Sequence, residues 1–300
     1  MLSVLICTFN REQYLPRLFT SIVANSLPYT EYELVVVDNN SSDHTAQYCR
    51  QFASEHKDLN FCYVFEPVQG LSVARNTAIR SSYGEVVVFV DDDAYVDSDY
   101  LATYANYFSN HPNTMAAGGP ILPSYDTEEP AWMTKYTKEL LTAYMYLGDK
   151  TRIYPKGRFP GGGNAAYRRE VFDTVGLFNT TLGRNGNSLG SSEEKDIFFK
   201  LRQKKMEVVY LPKAILHHII PAYKLENNYF DKVTYHIGRS ERERTLAISG
   251  GVYKKRLFSE VVKWGGTLVL LCSYTLMLSP KKGWKLVLFR YNVTKGLLGR

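Results

Sequence analysis

Short, almost continuously apolar runs alternate with segments of helical periodicity over the first 120 residues. The apolar runs are 4–7, 34–37, 61–65 and 86–90, and residues 11–25, 43–55 and 71–81 between them show helical spacing. Apolar runs without polar alternation are typical of strands that are buried on both faces of a parallel sheet. The alternation therefore predicts an α/β fold with a doubly wound, mostly parallel sheet.

The pattern loosens after residue 120, where prolines and glycines become frequent. We expect helices at 136–147, 192–203 and 228–248, and short strands at 164–167, 206–211 and 214–218. The predicted organisation is one domain over 1–225, with halves 1–120 and 121–225, followed by a helical extension over 226–300.

Charge is distributed unevenly along the chain. The formal net charge is +6, but residues 251–300 carry +9 and residues 1–250 carry −3. A weakly acidic body is unsuited to nucleic acid, and no nucleic-acid-binding motif occurs, so we expect no nucleic-acid partner. Because the basic segment is also apolar, an anionic membrane surface is its expected partner.

The basic segment contains a charge-free run at 264–280 with lysines on both sides. As a helix this run would be roughly 25 Å long, shorter than a hydrocarbon core of about 30 Å. Two basic flanks favour helices that lie on anionic lipid, so we expect residues 254–300 to attach peripherally to a membrane. The alternative is a core helix packed on the catalytic domain. No signal-peptide pattern precedes the first run, so we expect a cytoplasmic protein at the inner face of the membrane.

Three consecutive carboxylates, Asp91, Asp92 and Asp93, directly follow the apolar run 86–90. Adjacent carboxylates repel one another, so a cation must offset them, and a divalent metal is the obvious candidate. Asp91 and Asp93 would point the same way in an extended segment and share one ion. The alternative is an Asp-rich turn that caps a helix starting near Asp97.

Polar residues also follow the first two apolar runs. Thr8, Asn10 and Arg11 follow the first, and Asp38 ends the second. Ligands of doubly wound sheets bind at the carboxyl ends of the strands, although Asp38 also suits a simple turn. Neither GxGxxG after the first strand nor GxxxxGK[ST] anywhere is present, which argues against dinucleotide oxidoreductases and P-loop enzymes.

Four stretches, 3–11, 35–43, 70–76 and 91–93, together resemble the family 2 glycosyltransferases. These are inverting enzymes with the nucleotide-diphospho-sugar transferase fold, a Rossmann-like GT-A sheet, and the resemblance covers about 1–220. It implies a nucleotide site made of Thr8, Asn10, Arg11, Asp38, Arg75, Asn76, Asp91 and Asp92. It also implies that Asp93, with Asp91, coordinates Mn²⁺ or Mg²⁺ on the diphosphate.

The second half carries the same resemblance. The stretch containing Gly162, Gly163 and Asn164 is similar to the family's glycine-rich segment near the donor sugar and acceptor, although a bend into the next strand is the alternative. Residues 191–196 occupy the place of the family's catalytic acid. Glu194 stands where the family has Asp, and Glu193 is the competing candidate, with capping of a helix start as the alternative.

The resemblance also suggests that His217 or His218 is a further metal ligand, although a lone histidine is more often structural. The hypothesis is an inverting, metal-dependent transferase that moves a sugar from a nucleotide-diphospho-sugar to a hydroxyl of a glycan or of a lipid-linked acceptor. We expect the nucleotide to be UDP, with GDP and dTDP as the alternatives. Surface polysaccharide or glycoconjugate synthesis is the expected setting. The alternative is a non-catalytic nucleotide-sugar or glycan-binding module on the same scaffold.

Overall fold

A computed structural model describes residues 1–183 and 193–300 and divides into two compact units. The sheet unit comprises residues 1–123 and 143–219, and the helical unit comprises residues 124–142 and 220–300. Ser191 and Ser192 of the predicted acidic motif lie outside the described residues.

Strands and helices are numbered in chain order. The strands are β1 (Leu2–Thr8), β2 (Tyr32–Asp38), β3 (Asn60–Phe65), β4 (Val86–Val90), β5 (Ala94–Val96), β6 (Ala116–Gly118), β7 (Ile121–Tyr125), β8 (Arg152–Ile153), β9 (Asn164–Arg168), β10 (Val208–Tyr210) and β11 (Leu216–Ile220). The helices are α1 (Leu15–Val23), α2 (Thr45–Glu55), α3 (Leu71–Arg80), α4 (Tyr100–Asn110), α5 (Lys135–Thr142), α6 (Glu170–Val175), α7 (Glu193–Gln203), α8 (Asn227–Ile248), α9 (Gly250–Leu276) and α10 (Pro280–Leu298).

The described strands of the sheet unit form an eight-stranded sheet of order β3-β2-β1-β4-β9-β6-β10-β8. β1 pairs in parallel with β2 and β4, β2 with β3, and β6 with β10, whereas β9 and β8 are antiparallel to their neighbours. The predicted doubly wound, mostly parallel sheet is confirmed. Antiparallel β9 starts at Asn164, opposite Val90, so β9 begins at the edge where β1, β2 and β4 end.

Both faces of the central strands are covered, which explains their uninterrupted apolar sequences. Val4 and Ile6 of β1 belong to one core cluster with Phe19 of α1, whereas Leu5 belongs to a second cluster with Ala74 of α3. Successive strand residues point to opposite faces, so each face needs its own layer of helices.

The predicted boundaries agree best where the sequence pattern is strongest. The run 86–90 coincides with β4, and α3 ends one residue before the predicted residue 81. α5 instead ends at Thr142 rather than 147, since the next residue, Ala143, has φ 53°, a left-handed conformation that stops a helix. β5, β6 and β8 have only two or three residues, too few to give a periodic signal.

A second sheet has the order β5-β11-β7. β11 runs antiparallel to β5, with His217 opposite Tyr95 and His218 opposite Ala94. Adjacent residues of a strand face opposite sides, so this pairing separates the two histidine side chains.

The predicted C-terminal helical extension is confirmed as α8, α9 and α10. Gly238 of α8 faces the Val293 carbonyl of α10, and Gly296 of α10 faces the Tyr235 carbonyl of α8, so closely that a Cβ at either glycine would collide with the opposite backbone. No helix in the described part of the chain is long and apolar enough to cross a membrane.

Candidate active site

The loops after β1 and β2 hold each other in place at the carboxyl edge of the sheet. The Asn10 side-chain oxygen accepts a hydrogen bond from the Ser42 N–H at 2.7 Å, and the Asn10 N–H donates to Ser41 Oγ at 3.0 Å. Asn10 and Asn40 have φ of 52° and 67°, a left-handed conformation that asparagine tolerates better than most residues. The two loops therefore form one ordered rim.

Asp38 is buried at the end of β2 with both carboxylate oxygens engaged. The Ser41 N–H donates to Oδ1 at 2.8 Å, and the Tyr63 hydroxyl donates to Oδ2 at 2.8 Å. The neighbouring Asn39 oxygen accepts from the Gly70 N–H at 2.8 Å and so fixes the start of α3. Tyr63 was not singled out from the sequence, because it is 25 residues from the carboxylate it bonds.

Arg11 pairs with two of the three carboxylates of the acidic triplet in this structure. Its guanidinium donates to the Asp93 carboxylate and lies 3.4 Å from Asp92 Oδ1. Burial raises the pKa of Asp92 to about 7; Arg11 works against this rise and Asp93 adds to it. Arg11 thus supplies one positive charge beside the triplet, and the divalent metal expected from the sequence stays a prediction.

The structure brings His218 to Asp93 and His217 to a different partner. His218 Nε2 lies 3.4 Å from Asp93 Oδ2. His217 Nε2 lies 2.8 Å from Asp97 Oδ1, and its ring stacks on Tyr95 with centroids 4.7 Å apart. Only His218, of the two predicted alternatives, has the position required of a second ligand beside Asp93.

Asp93 and His218 supply donor atoms of the right chemistry for a divalent ion. Among residues 1–183 and 193–300, no group of three or more His, Cys, Asp and Glu side chains is arranged to hold a metal. Mg²⁺ is commonly bound by one or two carboxylates together with substrate phosphates and water, and Mn²⁺ also accepts imidazole. The pair therefore fits such an ion when a diphosphate completes its coordination.

The buried Arg75 lies within 4 Å of three acidic side chains from distant parts of the sequence. Arg75 Nη1 lies 2.9 Å from Glu193 Oε1 and 3.9 Å from Glu194 Oε2, and Nη2 lies 3.9 Å from Asp91 Oδ1. The guanidinium also lies over the ring of Phe178 at 5.4 Å. Arg75 thus links the end of β4 to the start of α7.

Gly162 and Gly163 let the backbone before β9 approach this cluster. A Cβ at Gly162 would lie 2.7 Å from Arg75 Nη2, and a Cβ at Gly163 would collide with the Asp91 carboxylate. The Gly163 carbonyl also accepts a hydrogen bond from the Asp91 N–H at 3.3 Å. Neither position has space for a side chain, which explains why both residues are glycine.

Glu194 differs from Glu193 in how its carboxylate is used. Glu193 is buried and forms the short ion pair with Arg75. Glu194 Oε2 is buried without a hydrogen-bond partner among the described residues. Burial and the neighbouring Glu193 raise the pKa of Glu194, and Arg75 opposes that rise. A carboxylate with a raised pKa and an oxygen that accepts no hydrogen bond has the properties of a general base.

Two predicted ligand residues have structural tasks instead. The Asn164 side chain is fully buried, donates to the Pro120 and Ala214 carbonyls, and accepts from the hydroxyls of Tyr100 and Tyr104. These bonds use all four of its hydrogen-bonding positions, so its side chain has none left for a sugar.

Asn76 is also turned toward the protein. Its amide bonds both the N–H and the carbonyl of Phe178, each at 2.9 Å. Asn76 thereby fixes Phe178, whose ring lies beneath Arg75. The sequence suggests contact of Asn76 with the nucleotide, whereas its amide positions a residue that packs on Arg75.

A mostly parallel α/β sheet with polar loops at its carboxyl edge places the protein among the α/β folds that bind ligands, nucleotides among them, at that edge. Residues 3–176 match the family model described as Glycosyl transferase family 2, more than half of the chain, and the chain belongs to this family.

Named relatives and solved structures are consistent with this assignment. The glucosyl-dolichyl phosphate glucuronosyltransferase of Haloferax volcanii is 25% identical over 251 residues, covering 81% of this chain and 77% of the relative. The mannosyltransferase PcManGT of Pyrobaculum calidifontis, solved with GDP-Man and Mn²⁺, covers 100% of this chain and 87% of its own, with TM-score 0.62 and 18% identity. Staphylococcus aureus TarS 1-349 with UDP-GlcNAc covers 100% and 92%, with TM-score 0.53 and 18% identity.

The protein is therefore a glycosyltransferase that uses a nucleotide-sugar donor. The two solved structures share its fold at low identity. Mn²⁺ is present in the mannosyltransferase complex.

Proposed function

We propose that the protein is an inverting, metal-dependent transferase in which Glu194 deprotonates a hydroxyl of the acceptor. The observation that carries this proposal is the cluster around Arg75, which faces Asp91, Glu193 and Glu194 and which, with Asp91, lies against the glycine backbone before β9. Glu193 is committed to Arg75, whereas Glu194 keeps an oxygen without a hydrogen-bond partner among the described residues. A single base on the side opposite the leaving group gives inversion by direct displacement.

The proposed nucleotide site is the polar rim at the carboxyl ends of β1, β2 and β4, within the 1–120 half. Asp38, held by Tyr63 and Ser41, is the proposed acceptor for ribose hydroxyls, with Thr8 and Asn10 beside the base. UDP is our proposal for the nucleotide, and GDP and dTDP are the alternatives, since related folds are solved with GDP-Man and with UDP-GlcNAc.

Asp93 and His218, with Asp91 nearby on the chain, would hold the Mn²⁺ or Mg²⁺ ion. When bound, such an ion neutralises the charge that develops on the departing diphosphate. Arg11 pairs with Asp93, the proposed metal ligand, so its guanidinium lies beside the proposed diphosphate position. There it would add a positive charge from the protein itself to bind the phosphates.

The proposed acceptor is a hydroxyl of a glycan or of a lipid-linked sugar, received by the 121–225 half and used in glycoconjugate synthesis. Support comes from the H. volcanii relative, whose name specifies glucosyl-dolichyl phosphate. We further propose that the protein acts in the cytoplasm, peripherally at the inner face of a membrane.

Replacing each of the two neighbouring glutamates separately with glutamine tests which of them is the general base. Glu194→Gln should keep affinity for the nucleotide and lower transfer to a glycosyl-lipid acceptor, and release of nucleotide from the donor, by about 10²–10⁴-fold. The matched variant Glu193→Gln should be less stable, because it weakens the ion pair with Arg75, and should keep more turnover per folded molecule than Glu194→Gln. Near-normal turnover of Glu194→Gln with an inactive, folded Glu193→Gln would assign the base to Glu193.

The adjacent histidines provide a matched pair for testing the metal. Calorimetric titration with UDP, GDP and dTDP, each with Mn²⁺ or with chelator, should show metal-dependent affinity that His218→Gln and Asp93→Asn reduce. His217→Gln should leave that dependence unchanged, because His217 pairs with Asp97. Equal affinity in chelator would contradict the metal role, and metal-dependent binding without any turnover or donor hydrolysis would favour a non-catalytic binding module.

A further inference from the structure

α9 presents apolar side chains to solvent and polar side chains to its neighbours. Its fully buried positions are Glu260 and Thr267. Its exposed large apolar residues are Phe258, Val261, Val262, Leu268, Val269 and Leu276. Leu257, Leu270 and Leu271 are half-buried, so α9 has apolar side chains on both sides, whereas a helix packed on a core turns its hydrophobic stripe inward.

Buried polar side chains of α9 bond to one another and to α10. Glu260 accepts hydrogen bonds from Arg256 at 2.7 Å and from Arg290 of α10 at 2.9 Å. The indole N–H of Trp264 donates to Thr294 Oγ1 at 3.0 Å. These bonds fix the rotation of α9, so its apolar face is directed outward by the fold and is not a loosely packed surface.

The outward residues form one continuous stripe with basic residues at its beginning. Phe258, Val262, Val269 and Leu276 are spaced by four or seven positions and therefore share one face of the helix. The exposed Lys254 and Lys255 lie one turn before Phe258, at the edges of the same face.

The stripe ends in an apolar turn between α9 and α10. Leu276, Met277 and Leu278 are 85%, 68% and 91% exposed, respectively. Leu278 has φ 54°, and the turn is closed by the Ser279 N–H donating to the Tyr274 carbonyl at 2.8 Å. Three adjacent large apolar side chains are thus held in water in an ordered conformation.

We propose that this stripe and turn form a lipid-docking face, comprising Phe258, Val261, Val262, Leu268, Val269, Leu276, Met277 and Leu278, that inserts into the interfacial region of an anionic membrane. Lysines at both ends, Lys254 and Lys255 before and Lys281 and Lys282 after, would contact lipid phosphates. Trp284, which is 58% exposed, follows on α10 and suits the headgroup region. The inference rests on the peripheral membrane attachment proposed above and does not depend on the transfer reaction.

The charge of the segment favours lipid over a second copy of the chain as the occupant. The one acid among residues 251–300 is Glu260, which is buried between Arg256 and Arg290. A symmetric dimer through the lipid-docking face would bring lysines together without an acidic partner, whereas anionic lipid supplies the complementary charge.

Vesicle flotation of the full-length protein tests the proposal. The protein should float with vesicles of phosphatidylglycerol and phosphatidylcholine, bind pure phosphatidylcholine at least about tenfold more weakly, and be partly released by high salt. The triple variant Leu276→Ser, Met277→Ser, Leu278→Asn should lower the bound fraction roughly tenfold or more, since it removes three inserting side chains. Asparagine is chosen at 278 because it accepts a left-handed φ.

Two matched controls separate docking from folding. Ile153→Ser changes a comparably exposed apolar residue of the sheet unit and should not affect flotation. The triple variant should keep the wild-type helical circular dichroism and nucleotide affinity, so that loss of flotation cannot be attributed to unfolding or to the active site.

Fluorescence of Trp284 gives an independent measurement on the unaltered chain. Brominated anionic lipid should quench it, and Trp284→Phe should remove most of that quenching. Absence of both flotation and quenching at low salt would overturn the proposal. So would a dimer in lipid-free sedimentation that the triple variant dissociates, because the face would then be occupied by a second copy.

Discussion

The sheet unit and the helical unit each contain a buried polar centre, but the two centres are built differently. Asn164 in the sheet unit is neutral and bonds two tyrosine hydroxyls and two carbonyls. Glu260 in the helical unit is charged and bonds two arginines. A neutral amide satisfied on all sides can lie in an apolar core, whereas a buried carboxylate requires cationic partners.

This difference determines where each unit can place its remaining side chains. Around Asn164, apolar residues fill the interior, and charged groups lie toward the strand ends, at the carboxyl edge of the sheet with the candidate active site and at Glu33 near the start of β2. Around Glu260, α9 buries polar side chains against α10, and its most exposed large apolar residues face outward. The first arrangement suits chemistry on a soluble nucleotide, and the second suits contact with an apolar phase.

The largest expected effect on stability is at Asn164. Asn164→Ala leaves two hydroxyls and two carbonyls without partners and should lower the free energy of unfolding of the sheet unit by about 3–5 kcal/mol. All three tryptophans belong to the helical unit, so hydrogen exchange of β1 and β4 is the suitable measurement. The exposed Asn106→Ala should change stability by less than about 0.5 kcal/mol. A loss below about 1 kcal/mol at Asn164 would contradict its central role.

The charged centre should respond to pH, unlike the neutral one. Burial tends to raise the pKa of Glu260, but hydrogen bonds from Arg256 and Arg290 outweigh it and lower the pKa below 4.5. Near and below pH 4.5, Glu260 of the unfolded chain binds a proton more readily than Glu260 of the folded protein. The contribution of Glu260 to folding stability is therefore present above about pH 4.5, and it is lost as the pH falls through the pKa of the folded state.

Glu260→Gln should therefore cost about 2 kcal/mol at pH 7 and flatten the acid dependence of stability. Urea unfolding followed by tryptophan fluorescence at pH 7 and pH 4 measures both effects. Glu243→Gln, which breaks an exposed pair with Arg239, should cost less than about 0.5 kcal/mol. If the two variants lose the same free energy of unfolding at both pH values, the buried ion pairs of Glu260 contribute no more to stability than an exposed pair.

Sequence patterns predicted the parts of the molecule that depend on local information. β4 and the acids that follow it were located because an apolar run ends abruptly in three carboxylates. The ion pairs were not predictable, since Arg11 meets Asp93 across 82 residues and Arg75 meets Glu193 across 118. The pairing of β1 with β4 brings Arg11 to Asp93, and the packing of α3 and α7 in one core cluster brings Arg75 to Glu193.

The orientation of α9 shows the same limit in the helical unit. The charge-free run at 264–280 correctly indicated an apolar segment, but its pattern does not say which face is covered. That choice depends on Arg290 and Thr294, which meet α9 only after α10 has turned back at Leu278. The helices expected in the basic segment are α9 and α10, joined by a turn at residues 277–279.

A smaller effect is expected where α8 and α10 approach each other through glycine. Gly238→Ala puts a methyl group against the Val293 carbonyl and should destabilise the helical unit by about 1–3 kcal/mol. Tryptophan-monitored urea unfolding measures it. An unchanged midpoint would mean that the two helices are not as close as the structure has them.

The smallest effect is the same substitution on the open side of α9. Gly266 is exposed within the helix, and an added Cβ meets no atom within 4 Å among the described residues. Alanine is favoured over glycine in a helix interior, so Gly266→Ala should stabilise the helical unit by about 0.5–1 kcal/mol. Gly238→Ala and Gly266→Ala thus differ in sign for one reason, the presence or absence of a neighbouring helix. Destabilisation by Gly266→Ala in lipid-free solution would show that another surface already covers this side of α9, and the outward orientation of its apolar stripe would then be wrong.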